Sequence, residues 1–154
     1  MSNGRSITGG PLGDAAVTPL PRPVPGIRVC VRLNLGGCGP YAHIVADVEP
    51  PGPGGGLELL SAVPEDLLPR EHLPALRQGL LEGLGGVAAA VLVTDGHYHD
   101  ADSCDLGYLL AGREAGRAAL VGAGLLPPGE AEALRWASRP GRPRPRRRGG
   151  GRRS

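Results

Sequence analysis

The sequence predicts an α+β fold: a two-layer β-β-β-α-β-α domain in which a four-stranded sheet carries two helices on one face. Three observations predict it. Apolar residues alternate from Ile27 to Leu33, as in a half-buried strand, whereas Leu73, Leu76, Leu80 and Leu84 recur at helical spacing. Breakers rich in glycine and proline, Gly36 to Pro40 and Pro50 to Gly56, separate the runs. With 40% apolar residues there is enough for one packed domain of roughly 100 residues, and the 27 Gly and 17 Pro imply ragged ends.

Residues 1–26 read as a Pro/Gly-rich N-terminal arm, because Pro19, Pro21, Pro23 and Pro25 lack the N–H that a central strand must donate. The body follows, from 27 to 138. Its first strand is Ile27 to Asn34, its second Ala42 to Val48, and a short third covers Leu57 to Val63. Pro69 to Leu84 reads as a helix, with Pro74 near the first turn, where an N–H has no intrahelical partner anyway. Val87 to Thr94 is a continuous apolar run of strand length, and Asp95-Gly96 predicts a turn after it. The second helix runs from Ser103 to Val121, with Asp102 as its N-cap and an inner face of Tyr108, Ala111, Ala115, Ala118, Ala119 and Gly122. Small residues there let a helix lie close on a sheet. A short helical segment carrying Trp136 is expected after Pro127-Pro128.

All 17 basic residues are Arg. The absence of Lys excludes the phosphate-binding P-loop, Schiff-base chemistry and Ser–Lys nucleophiles, so no GTPase is expected. Eight of the Arg (Arg139, Arg142, Arg144, Arg146, Arg147, Arg148, Arg152 and Arg153) crowd residues 139–154, where there is no acid. The first 138 residues therefore carry 9 Arg against 15 acids, a formal −6, joined to a +8 tail. Its Arg/Pro/Gly composition predicts a disordered segment that attracts polyanions. No aromatics interleave the Arg, so base stacking is not expected there.

Cys30, Cys38 and Cys104 show no C-x-x-C spacing, the first 25 residues lack a signal-peptide core, and the longest apolar run, Val87 to Val93, is far short of a membrane span. The expectation is a cytoplasmic monomer with reduced thiols, no membrane partner and no cofactor.

The densest chemistry lies in Thr94 to Asp105, where His97, His99, Asp100, Asp102, Ser103 and Cys104 fall close together. His97 and His99 at i, i+2 could clasp a metal ion, although the spacing matches no common zinc or calcium loop. A plain polar turn leading into a helix cap explains the same residues. A Ser103–His99–Asp100 triad lacks the strand-turn-helix element that such nucleophiles need. Gly54 to Gly56 reads as an ordinary loop rather than a phosphate cradle.

Four segments together resemble domain IV of translation elongation factor G. GGCGPYAHI (Gly36 to Ile44) is similar to that domain's GG-x-G-Q-[YF]-[GA]-H-V segment. VEPPGPGGGLEL (Val48 to Leu59) is similar to its EP-x-x-PG loop, and LPREHLPALRQGLLEGL (Leu68 to Leu84) to its IP-x-E-Y-I-PAV helix. DGHYHDADSCDLGY (Asp95 to Tyr108) resembles G-S-Y-H-D-V-D-S-S-E-x-A-F. The resemblance implies a left-handed β-α-β crossover, an exception to the usual hand. It also implies a rod-like tip that enters the decoding region of the small ribosomal subunit, built from two loops. Gly36, Gly37, Cys38, Gly39 and Tyr41 belong to the first, and His97, Tyr98, His99 and Asp100 to the second, with His99 matching the family's tip histidine.

This chain departs from the pattern at Pro40, where the family has Gln, at His97, where it has Ser, and at Cys104-Asp105, where it has Ser-Glu. The reading that follows is a stand-alone, non-catalytic module that binds the ribosome or ribosomal RNA through its tip loops, aided by the Arg tail. An alternative is a protein-interaction or regulatory module, acting on a translation factor or another protein, that has lost ribosome binding. A third is a metal-dependent enzyme using His97 and His99.

Overall fold

The computed structural model describes residues 18–33, 40–98 and 103–138. Its strands are β1 (Thr18–Pro19), β2 (Val24–Arg32), β3 (Tyr41–Glu49), β4 (Leu57–Ser61) and β5 (Val87–His97), and its helices are α1 (Leu73–Leu84) and α2 (Asp105–Gly122). Short 3₁₀ turns at Arg70–His72 and Pro128–Ala133 precede α1 and follow α2. The β-β-β-α-β-α order expected from the sequence is present, with one strand added in front.

β5 is the central strand. β3 runs antiparallel to it on one side, β4 parallel to it on the other, and β2 lies antiparallel outside β3. The β4–α1–β5 segment thus joins two adjacent parallel strands through a helix. Alternation sets the faces as predicted: Ile27, Val29, Val31, Ala42, Ile44, Ala46, Val48, Val91 and Val93 are buried, and all belong to one core with the helices. Among the described residues nothing covers the opposite sheet face. Arg28, Arg32, His43, Asp47, Glu49, Leu60 and Leu92 stand there, half-buried or exposed.

The helices meet through glycine. Gly79 and Gly83 of α1 face Gly112 and Gly116 of α2, one turn apart on each helix. A methyl group on Gly116 would lie 2.8 Å from the Leu84 amide, and one on Gly79 would collide with the Leu109 carbonyl. Backbone therefore packs on backbone, while Leu76, Leu80 and Leu84 reach the core and an exposed Glu82–Arg113 pair at 2.9 Å spans the outer rim.

Five expectations need correction. The N-terminal arm is not separate from the body up to Gly26: Thr18 and Pro19 pair with Val87 and Ala88, the Leu20 amide bonds to the Ala88 carbonyl at 2.9 Å, and Leu20 and Val24 are core residues. β2 tolerates Pro25 because the ladder is irregular between Val24 and Ile27, where Gly26 takes φ 71. Among the described residues the sheet accordingly has five strands rather than four. β5 does not stop at Thr94. A register shift at Val45/Ala46 lets the chain continue through Asp95 and Gly96 to His97, so Asp95-Gly96 is strand rather than turn. α2 starts at Asp105 with Cys104 as an extended N-cap that makes no side-chain cap bond. The expected cap, Asp102, lies outside the described residues, and Asp105 serves instead as a hydrogen-bond acceptor for His72.

After the second 3₁₀ turn, Trp136 is not helical. Residues 136–138 form a strap along the outer edge of β2, with the Cys30 amide donating to the Trp136 carbonyl at 3.2 Å and the Ser138 amide to the Arg28 carbonyl at 2.9 Å. The Glu114 carboxylate on α2 holds this strap by accepting the amides of Arg135, Trp136 and Ala137 at 2.7–2.9 Å. The strap covers part of an otherwise open strand edge.

Candidate functional site

Both loops singled out by the sequence are anchored at one end of the sheet. β2 and β3 enclose residues 34–39, and the Leu33 amide donates to the Pro40 carbonyl at 3.1 Å to close that loop's base. β5 ends with His97 opposite His43, and Tyr41 bridges to Ser103 beyond residues 99–102. Tyr41, His97 and Tyr98 are therefore brought to the same pole. Gly36, Gly37, Cys38, Gly39, His99 and Asp100 lie outside the described residues, as do the tail Arg from Arg139 to Arg153. The first turn of α2 closes on the same pole because Gly107 has no side chain; a methyl there would sit 2.9 Å from the Tyr41 carbonyl oxygen.

A hydrogen-bonded row crosses the open face just below this pole. Arg28 Nη1 donates to His43 Nε2 at 2.9 Å, and His43 Nδ1 meets His97 Nδ1 at 3.3 Å, with the rings edge-on at 4.8 Å. Arginine has only donors, so neutral His43 must accept at Nε2 and carry its proton on Nδ1. That proton is given to His97 Nδ1, which leaves the His97 N–H on Nε2, at the exposed end of the row. Burial lowers the His43 pKa, and the neighbouring His97 and Arg28 lower it further, against a smaller upward pull from Asp95. Beside the row, the Arg32 guanidinium lies 6.0 Å from the Tyr41 ring centre. Burial raises the Tyr41 pKa, so its phenol stays protonated at neutral pH.

Behind the pole, His72 locks the two helix starts together. It is buried, donates from Nδ1 to Asp105 at 2.8 Å, stacks on Tyr108 at 4.9 Å, and lies 5.9 Å from Tyr98. Burial raises the pKa of Tyr108, and the neighbouring Ser103 side chain pulls it partly back.

Neither His43 nor His72 stands out in the sequence. His43 was discoverable, because it occupies an outward position of an alternating strand; His72 lies in a 3₁₀ turn that carries no periodicity. Among the described residues no group of three or more His, Cys, Asp or Glu is placed to hold a metal ion. Of the proposed metal pair, His97 contacts His43, and His99 lies outside the described residues. Among the described residues, too, no helix is long and apolar enough to cross a membrane.

The model of the family described as elongation factor G, domain IV, matches residues 25–124. The crystal structure of a protein from Thermus thermophilus aligns with 60% of this chain at 22% identity and a TM-score of 0.47, and the chain spans 15% of that longer protein. Residues 25–124 take in β2 from its second residue, β3 to β5, both helices and the bases of both loops. The chain belongs to the elongation factor G domain IV family.

Proposed function

We propose that this domain is a non-catalytic, translation-related module that binds RNA of the small ribosomal subunit, at the decoding region, through the two loops at its pole. The observation that carries this reading is the meeting of the two loop bases at Tyr41, His97 and Ser103. Gly36, Gly37 and Gly39 allow close backbone approach to RNA in the first loop. The second offers a tyrosine, the His97 N–H and His99, groups that stack on bases or donate to phosphate and 2′-OH acceptors.

The acidity of this pole is offset in part. Asp105 is committed to His72, Asp95 caps its own neighbour's amide at 2.8 Å, and Arg28 and Arg32 flank the loop bases. Co-sedimentation with small ribosomal subunits across a salt series tests the proposal. Intact protein should pellet at low salt, and the double variant His97→Ala/His99→Ala should pellet much less while remaining folded. Failure of the intact protein to pellet at low salt overturns it.

A further inference from the structure

The open sheet face is polarised, and the strap gives that polarity a consequence. Midway along β5, Leu60 and Leu92 pair side by side in the ladder and are 60% and 39% exposed. They floor a shallow groove of about 220 Å³ rimmed by Asp47, Glu49 and Glu58. Among the described residues no Arg lines it, and neither Glu49 nor Glu58 has an ion-pair partner. Asp47 spends one oxygen on the Gly26 amide at 2.8 Å.

The strap runs antiparallel to β2, passing Cys30 at Trp136 and Arg28 at Ser138. Its direction is away from the loop pole, toward the end where Val24 pairs with Val48. At Ser138 the chain is thus heading toward the acidic end of the face, away from the tip. We propose that residues 139–154 dock in this groove on their own chain, with guanidinium groups on Asp47, Glu49 and Glu58 and the Arg stems over Leu60 and Leu92.

The lengths agree. Asp47 lies two strand spacings sideways and two residues along from the Arg28 level, about 12 Å from the strap's end at ~4.8 Å per strand and ~3.3 Å per residue. Glu58 lies four spacings and four residues away, about 23 Å by the same measure. An extended chain gains about 13 Å by Arg142 and about 33 Å by Arg148. The earlier Arg therefore reach Asp47 and Glu49, and the run Arg146, Arg147 and Arg148 reaches Glu58. A tether this short holds the partners at an effective concentration on the order of millimolar, enough to populate contacts that are individually weak.

The test uses the full chain labelled with ¹⁵N, beside a variant with Arg142, Arg144, Arg146, Arg147 and Arg148 changed to Gln. At low salt the amide signals of Leu60, Ala90 and Leu92 should differ between the two. The difference should vanish in a Glu49→Gln/Glu58→Gln background and at 1 M salt, where the Debye length is about 3 Å. Trypsin should cut after Arg148 about three- to tenfold faster in the Glu49→Gln/Glu58→Gln protein. Glu49 and Glu58 are exposed, and unchanged signals from Val29, Ile44 and Val93 report an intact fold. Identical groove signals with and without the tail charge overturn the proposal. So do shifts confined to Arg32, Tyr41 and Tyr98, which place the tail at the tip, and shifts that grow with protein concentration, which assign the groove to a second copy's tail. None of these readings depends on RNA binding, so the two proposals fail separately.

Discussion

Arg28 has donors only, and that constraint passes along its row: His43 accepts and then donates, and His97 is left with its N–H on Nε2. Ring ¹⁵N spectra at neutral pH should show His43 as the Nδ1–H tautomer and His97 as Nε2–H, and His43→Phe should free His97 to populate both. The same burial that fixes His43 makes stability depend on pH. Above about 6.5, its ordinary value, His43 is neutral in both folded and unfolded chains and contributes nothing to the slope. Below that, the unfolded chain takes up a proton that the folded site resists, so stability falls until the pH passes the lowered folded value. Urea midpoints at pH 7.5 and 5 should differ less in His43→Gln than in the natural sequence. Glu114 is a second residue-scale determinant. It gathers three amides of the strap, so Glu114→Ala should cost on the order of 1–3 kcal/mol, read by Trp136 fluorescence during unfolding.

At the scale of elements, the interhelical contact has an unusual sign. Gly→Ala inside a helix ordinarily gains roughly 0.5–1 kcal/mol. Here Gly79→Ala, Gly112→Ala and Gly116→Ala each drive a methyl into the facing backbone, and a loss of about 1–3 kcal/mol is expected from overpacking, measured by thermal or urea unfolding. Gly85→Ala, at the end of α1 with nothing within 4 Å, tests the other cause, since only its φ of 56 opposes the side chain. Periodicity made the two helices and the three long strands legible, because each buries one face and that face repeats. Glycine pairing between helices repeats only across the contact, so no single helix reveals it. The end of β5 was misread for a related reason. Asp95-Gly96 is ordinary turn chemistry, but the register shift at Val45 lets Gly96 pair with Ile44, where a methyl would lie 3.0 Å from the His43 carbonyl oxygen. Leu20 and Val24 were hidden among prolines whose missing donors argued for an arm, while their partners, Ala88 of β5 and Val48 of β3, are distant in sequence.

For the molecule as a whole, the sequence exposed the division of charge but not its geometry, since only the strap shows which way the chain is heading at Ser138. That direction separates two pictures of RNA binding. If the tail were a free arm, all eight Arg would meet single-strand phosphates with a salt slope on the order of −5 in log–log form. A tail resting on Glu49 and Glu58 must first be displaced. Salt weakens that resting contact as well as the RNA contact, so the observed slope should be shallower than for a free arm. Glu49→Gln/Glu58→Gln should then bind a single-stranded RNA oligonucleotide more tightly at low salt, with a steeper slope, and the two proteins should converge as salt rises. A local field effect of the lost carboxylates would also tighten binding. It would do so equally when the five tail Arg are changed to Gln, whereas displacement predicts that the difference disappears in that background. Fluorescence anisotropy across a salt series, run on the four proteins of this cycle, separates the two.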